Sequence, residues 1–259
     1  MKQRVRYVAT ADQVQLAWAE LGRGPPLVKA ATWLTDLQYD LESPVWAHWV
    51  RFFGEHFRYV RYDERGCGLS DRNPGDLEEG HWLEDLESVV DAAGVEQPFV
   101  LLGISQGAAT AIRYAVRHPQ RVSHLVLYGG YAVGGLRSED TERRDLYRAV
   151  MEVVGIGWGS DNPAFRQLFT TRFVPQGTQA QLDWFNDLCR RTTSAQNARE
   201  TLALQLLCEG RSNAQIAWQL GIAEKTARNH VSNLYRKLGV RSRAEAIVLA
   251  YRHAPRLPA

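Results

Sequence analysis

The chain has 259 residues, of which 45% are hydrophobic and 23% charged, and its formal net charge is +2. That length suits one large domain plus a small one with a sizeable core. No run approaches the ~18 apolar residues of a membrane-spanning helix, and the N-terminus lacks the apolar run of a signal peptide. We therefore expect a soluble, cytoplasmic protein without membrane attachment.

The distribution of charge and the cysteines add to this expectation. Residues 198–259 hold ten Lys and Arg against four Asp and Glu, a net charge of +6 that leaves −4 for the remainder, so the basic excess belongs to the C-terminal tail. Cys67, Cys189 and Cys208 are scattered without metal-ligand spacing. We expect reduced thiols, and we predict no disulfide framework, metal site or cofactor.

Strand-like and helix-like patterns alternate through the first half of the chain. Apolar runs bounded by turn residues predict strands at 5–9, 14–20, 26–31, 57–62, 99–102 and 122–128. One helical pattern begins at Ser43-Pro44, and two others cover 83–93 and 107–118. Such alternation is typical of an α/β fold with a mostly parallel sheet.

A G-x-S-x-G motif, Gly103-Ile104-Ser105-Gln106-Gly107, lies at one strand-to-helix junction. Its glycines allow a tight turn from which the Ser105 hydroxyl would project. Together with the sequences DERGCGLS at 63–70 and RHPQRV at 117–122, the motif makes residues 4–130 resemble the α/β-hydrolase fold.

This resemblance implies a nucleophile and an oxyanion hole. Ser105 would be the nucleophile, and the backbone amide of Gln106 would supply half of the oxyanion hole. The other half normally follows the strand at 27–30, where Ala31-Thr32-Trp33 replaces the usual His-Gly.

The resemblance implies two further strand units that this chain lacks. In the α/β-hydrolase family a lid is followed by strands whose loops carry an acid and a histidine. Residues 138–197 instead predict helices that resemble a lid, at 146–154, 162–169 and 179–189. The histidines at 118, 124, 230 and 253 follow Ser105, and none is placed like a catalytic base; those at 48, 56 and 81 precede it and are expected to face the surface or the lid. The strand at 122–128 should therefore be an edge. We expect self-association to cover it, and cover by the lid-like helices is the alternative.

Four aromatic residues are predicted near the mouth of the sheet: Trp33, Tyr39, Trp82 and Trp158. They are candidates for lining a pocket that takes a small apolar ligand. The alternative is that they are core residues.

Two helical patterns meet at Gly221 in the basic tail. Ser212 and Gln215 form a capping box that starts the first helix, and the second has an apolar stripe at Ala227, Val231, Leu234 and Leu238. Its other face carries donors suited to phosphates and base edges. The candidates for DNA contact are Lys225, Thr226, Arg228, Asn229, His230, Asn233, Arg236 and Lys237.

This tail resembles the four-helix, helix-turn-helix DNA-binding domain of LuxR-type (LuxR/NarL/GerE) bacterial regulators from about residue 197 to 253. Ala223 stands where that family prefers a serine cap, and Ala227 replaces a usual valine. A helical hairpin that binds another protein is the alternative. The chain then divides into a hydrolase-like core at 1–134, a helical lid-like segment at 135–196 and a DNA-binding domain at 197–259.

Three functional hypotheses remain. The first is a DNA-binding, homodimeric transcription regulator whose hydrolase-like part is a sensor or scaffold without sustained catalysis. The second is a serine hydrolase, esterase-like, with Ser105 as nucleophile and an accessory DNA-binding domain. The third is a fusion relic that folds poorly.

Overall fold

The protein is described here by a computed structural model. The structure describes residues 3–75, 79–130 and 157–198, together with positions 142, 145, 149, 150, 153 and 225. Most of the predicted helix at 146–154, and all of the tail from 199 onward except Lys225, lie outside the described residues.

A six-stranded, mostly parallel sheet forms the centre of the fold. The strands are β1 (Arg4–Ala9), β2 (Gln15–Leu21), β3 (Pro26–Lys29), β4 (Arg58–Tyr62), β5 (Phe99–Ile104) and β6 (Val122–Tyr128). Their order is β1-β2-β4-β3-β5-β6. The strands β1 and β2 are antiparallel and β2 pairs antiparallel with β4, whereas β4, β3, β5 and β6 run parallel. The predicted α/β class with a mostly parallel sheet is confirmed.

Five helices accompany the sheet within the described residues. They are α1 (Ala47–His56), α2 (Glu79–Ala92), α3 (Gly107–Arg117), α4 (Ala164–Phe173) and α5 (Gln179–Thr192), and a short 3-10 helix covers Tyr39–Glu42. The first of these begins later than Pro44, because the Ser43 hydroxyl accepts hydrogen bonds from the backbone N–H groups of Val45 and Trp46 and so holds a turn there. None of the described helices is long and apolar enough to cross a membrane.

Both faces of the sheet are covered near its centre. On one face Val28, Leu86, Leu101 and Tyr114 are fully buried between the sheet and α2 and α3. On the other face Leu27, Val50, Tyr59 and Leu102 pack beneath α1. Leu101 and Leu102 belong to opposite faces because successive side chains of a strand alternate.

A third apolar cluster joins α4 and α5 to the loop that follows β3. Trp33, Trp158, Phe169 and Phe185 are all buried there, together with Leu34, Cys67, Leu188 and Cys189. The helix α5 begins with a capping box between Thr178 and Gln181. The lid-like helices thus share a core with the loops at the carboxyl ends of the strands.

The strand β6 is an edge of the sheet. It pairs with β5 on one side, and the described residues place no strand on its other side. Leu125, Val126 and Tyr128 are 37%, 45% and 56% exposed. An apolar strand edge is therefore open at this end of the sheet.

Candidate active site and DNA-binding segment

Ser105 lies on a sharp turn between β5 and α3. Its φ angle is +51°, a left-handed conformation that is rare for residues other than glycine. Its backbone N–H donates to Tyr128 O at 2.9 Å, and its carbonyl accepts from the N–H of Ala108 at 3.1 Å. This is the strained strand-to-helix elbow expected for a G-x-S-x-G motif.

The two glycines of the motif are required by close contacts. A Cβ atom at Gly103 would lie 2.6 Å from Ala108 Cα, and one at Gly107 would lie 2.7 Å from Ala31 O. Such distances are not tolerated between non-bonded atoms, so only glycine lets α3 approach both β5 and the segment after β3. The segment 30–33 therefore runs directly beside the elbow.

The side chain of Gln106 is buried and bonded at both ends. Gln106 Oε1 accepts from the backbone N–H of Trp33 at 3.3 Å, and Nε2 donates to Glu64 Oε2 at 3.0 Å. Gln106 and Glu64 are 3% and 2% exposed, and Glu64 Oε1 is buried without a hydrogen-bond partner among the described residues. Burial raises the pKa of Glu64 to about 8, which outweighs the hydrogen bond from Gln106 that lowers it.

Sequence reasoning missed Glu64. The sequence at 63–70 that contains it is part of the hydrolase resemblance, but the contact of Glu64 with Gln106 joins positions 42 residues apart. A lone glutamate in a run of polar loop residues gives no periodic signal of burial. An acidic residue directly after a buried strand, in a loop that returns toward the nucleophile, was the only available indication.

The loop that carries Glu64 is fixed by buried charges on either side. Asp63 Oδ2 accepts backbone N–H groups from Leu37 at 3.1 Å and Leu69 at 2.9 Å. Arg65 is completely buried and donates to both carboxylate oxygens of Asp85, at 2.6 and 2.8 Å. Arg65 also pairs with Asp12 at 2.7 Å. Glu64 is thus held between two anchored neighbours.

The same loop receives the residues that follow α5. Gly66 O accepts from Thr193 Oγ1 at 2.8 Å and from Asn197 Nδ2 at 3.2 Å. Asn197 Nδ2 also donates to Arg72 O at 2.6 Å, and Gly68 N–H donates to Thr192 O at 2.8 Å. Residues up to 198 therefore pack on the hydrolase-like part, a contact that the sequence did not indicate.

The described histidines have partners other than Ser105. His118 Nε2 lies 2.6 Å from Glu87 Oε1, His56 Nδ1 lies 2.9 Å from Phe52 O, and His124 is exposed beside Ser123. His48 is exposed on α1, and His81 is half-buried on α2. Within the part of the chain that the structure describes, no hydrogen bond joins a histidine to the Ser105 hydroxyl.

Three of the four pocket candidates lie in or against the cluster under α4 and α5. Trp33 and Trp158 stack at 5.7 Å between ring centroids, and Tyr39 stacks on Trp184 at 5.0 Å. Trp82 is buried on α2 and is not part of that cluster. The structure thus brings Trp33 and Trp158 into direct contact and leaves Trp82 apart.

The structure describes only some of the cysteines and of the candidates for DNA contact. Cys67 and Cys189 are free and buried, and burial raises the pKa of the Cys67 thiol to about 12. Of the DNA-contact candidates the structure describes Lys225, which is helical and exposed. The other seven, and Cys208, lie outside the described residues.

Two family models match this chain. Residues 37–172 match the α/β hydrolase fold, and residues 197–250 match the bacterial regulatory proteins of the luxR family. The chain therefore belongs to the α/β hydrolase fold family and carries a luxR-type helix-turn-helix domain in its C-terminal part. Both sequence resemblances are confirmed.

Individual relatives include both regulatory proteins and hydrolases, and each matches only part of this chain. The spore germination protein GerE of Bacillus subtilis is 46% identical over 50 residues, 19% of this chain and 68% of that protein. The 2-hydroxymuconate semialdehyde hydrolase of Pseudomonas putida is 38% identical over 77 residues, 29% of this chain. The chain spans only 27% of that hydrolase.

Solved structures agree on the fold. A hydrolase from Pseudomonas aeruginosa PA01 superposes with a TM-score of 0.62 at 22% identity, over 83% of this chain and 76% of that one. At that identity the likeness shows the fold alone.

Proposed function

We propose that this protein is a cytoplasmic, DNA-binding transcription regulator whose hydrolase-like part acts as a sensor or scaffold without sustained catalysis. The observation that carries this proposal is the luxR-family match at 197–250 in the same chain as the hydrolase-fold match at 37–172. In this proposal residues 1–134 form the hydrolase-like core, 135–196 the lid-like segment and 197–259 the DNA-binding domain.

The case against sustained turnover is chemical. A serine hydroxyl is a weak nucleophile at neutral pH until a base takes its proton, and the base is normally a histidine steadied by a carboxylate. The described histidines are bonded elsewhere or lie on helix surfaces. An oxyanion hole and binding alone leave a residual rate of roughly 10³–10⁴ over water, so slow ester cleavage is compatible with the proposal.

DNA binding is tested with the full chain and promoter fragments. If Lys225, Arg228, Arg236 and Lys237 neutralise phosphates, affinity should fall steeply with salt, and Lys225→Ala should weaken binding to every sequence alike. Arg51→Ala removes the same charge from the exposed face of α1 and is the matched control. An affinity that is indifferent to salt would contradict the proposal.

Catalysis is tested on a small activated ester with the wild type and Ser105→Ala. Equal, slow rates support a sensor or scaffold. Turnover near 1–10³ s⁻¹ that disappears in Ser105→Ala is ordinary enzyme behaviour and would overturn the proposal.

The alternative function is a serine hydrolase with an accessory DNA-binding domain. The strained conformation of Ser105, with φ at +51°, favours it, because strained residues concentrate at functional sites. This alternative needs a base from an unexpected place. His81→Ala is the first variant to compare if turnover is found, and a base from a partner subunit is the second possibility.

We also propose that the protein forms a homodimer through β6. An exposed apolar edge strand exposes backbone groups that a second copy can pair, and two-fold pairing would present two DNA-binding domains to adjacent half-sites. Light scattering at tens of micromolar should show a dimer, and Val126→Lys should shift it toward monomer. A wild type that remains monomeric would remove this proposal and leave DNA binding untouched.

A small apolar ligand is the remaining part of the proposal. Because Trp33 and Trp158 stack against each other beneath α4, such a ligand would have to separate the two rings. Tryptophan fluorescence that responds to apolar ligands in the wild type and not in Trp158→Phe would support this site.

A further inference from the structure

We infer that the Gln106 carboxamide occupies the second donor of the oxyanion hole, the backbone N–H of Trp33, and that Glu64 positions it there. The chain thereby closes its own anion site beside Ser105. This inference deepens the proposed function of a hydrolase-like part without sustained catalysis and rests on it.

The position of Trp33 identifies its N–H as the second donor. In the hydrolase resemblance one donor is the amide after the nucleophile, and the other follows β3. The segment 30–33 lies against the start of α3, since a Cβ at Gly107 would meet Ala31 O at 2.7 Å and Ala30 O at 3.0 Å. In that segment the N–H of Trp33 points at the side chain of the residue next to Ser105.

An oxyanion and the carboxamide compete for this N–H. Gln106 Oε1 already accepts it at 3.3 Å, so a developing oxyanion finds one donor instead of two unless the side chain moves. Removing one oxyanion-hole donor slows acyl transfer by about 10²–10³. This loss acts on the hole itself and does not depend on which group serves as base.

Glu64 opposes such a movement. Its Oε2 accepts from Gln106 Nε2 at 3.0 Å, which is the hydrogen bond that the described residues give to this buried carboxyl group. Its neighbours Asp63 and Arg65 are fixed by backbone N–H groups and by Asp85. Swinging Gln106 away would leave a buried carboxyl group and a buried N–H unpaired together, which is unfavourable. Glu64 is therefore a positioning residue that acts through Gln106.

The test measures covalent labelling of Ser105 by a fluorophosphonate in the full chain, read as intact mass. In this reaction Ser105 Oγ forms a bond to phosphorus, the P–F bond breaks, fluoride leaves, and the hydroxyl proton passes to solvent. The phosphoryl oxygen takes the place of the oxyanion. Gln106→Leu opens the hole and should label about 10²-fold faster than the wild type, whereas Ser105→Ala should not label.

Matched variants separate the carboxamide from its support. Gln106→Met keeps the length of the side chain without its oxygen, should also label faster, and replaces the leucine variant if that one fails to fold. Glu64→Gln keeps an oxygen opposite Gln106 Nε2 and should label at the wild-type rate. Glu64→Met removes that acceptor and should label faster.

Two results would overturn the inference. One is a folded Gln106→Leu or Gln106→Met variant that labels no faster than the wild type, and the other is a Glu64→Met variant indistinguishable from Glu64→Gln. Failure of the proposed function has a different signature, namely wild-type ester turnover that is lost in Ser105→Ala. The two failures are thus read from different measurements.

Discussion

The two flanks of Ser105 are built differently. On the side of β3 and β4, Asp63, Glu64 and Arg65 are at most 2% exposed and are held by hydrogen bonds and ion pairs. On the side of β6, Leu125 is 37% and Tyr128 56% exposed, and the described residues add no further strand. One flank is a closed interior and the other is an open edge.

This difference shows which parts of the hydrolase fold hold the elbow in shape. Beside the turn at Ser105 lie the close approach of α3 to 30–33 and the buried loop 63–70, and both are on the closed flank. The strands that the resemblance places beyond β6 carry an acid and a histidine in that family, and the part of the chain that the structure describes forms the elbow with β6 as its last strand. The residues that shape the elbow and the positions where the family carries its acid and histidine therefore lie on opposite sides of Ser105.

The largest expected effect concerns Arg65, on the closed flank. Arg65→Ala leaves the buried Asp85 carboxylate without its partner and should lower the free energy of unfolding by about 3–5 kcal/mol. Arg117→Ala is the control, because Arg117 pairs with Glu87 on the surface, and such pairs contribute about 0–1 kcal/mol. Urea denaturation measures both variants. Similar losses in the two would erase the contrast between buried and exposed pairs.

Two leucines at paired positions of the neighbouring strands β5 and β6 sharpen the comparison between the core and the open edge. Leu101 in β5 and Leu125 in β6 are register partners, yet Leu101 is 0% exposed. Leu101→Ala should cost about 2–5 kcal/mol of unfolding free energy, because it leaves a cavity in the core. Leu125→Ala should cost roughly 1 kcal/mol or less. Equal costs, again from urea denaturation, would mean that a second copy or another segment covers β6 in solution.

The sequence predicted the strands and the elbow better than the buried hydrogen bonds beside Ser105. All six strands were expected near their observed bounds, because each coincides with a short run rich in apolar residues between turn residues. The elbow followed from the spacing of Gly103, Ser105 and Gly107. The bonds of Gln106 to Glu64 and to Trp33 were not predictable, since each joins residues at least 42 positions apart whose burial depends on tertiary packing. The prediction grouped the aromatic residues only in part, because Trp82 is buried on α2, outside the cluster that contains Trp33 and Trp158.

A smaller effect is expected at Asn197, where the segment after α5 meets the closed flank. Asn197→Ala removes the donor to Gly66 O and Arg72 O and should cost about 1–3 kcal/mol of unfolding free energy. Asn197→Asp has the same shape but sets a carboxylate against two carbonyl oxygens, so it should cost more than the alanine. An aspartate variant as stable as the wild type would show that these contacts do not form in solution.

The last effect is a pH slope that arises from Glu64. Its pKa in the folded chain, about 8, lies above the ordinary value of 4.5, so the folded state holds the proton more tightly than the unfolded state does. This contribution to stability is complete below the ordinary pKa and is lost as the pH rises through about 8, by at most about 1.4 kcal/mol per pH unit. Asp63, with a pKa raised to about 6 by burial, acts in the same direction.

Glu64→Gln removes the first of these two contributions. Urea midpoints measured from about pH 5 to pH 8 should fall less steeply in this variant than in the wild type. Parallel curves would show that Glu64 is already ionised in the folded protein.

The contact of Asn197 with Gly66 determines where the protein can be cut into its hydrolase-like part and its luxR-type domain. The luxR-family match begins at 197, yet that side chain is a fitted part of the hydrolase-like body, with Ala198 completely buried beside it. A cut at the family boundary would therefore strip the body of a donor and expose two carbonyl groups. The start of the luxR-family match and the end of the packed hydrolase-like part do not coincide, so a dissection that preserves these contacts has to leave residues 197 and 198 with the N-terminal piece.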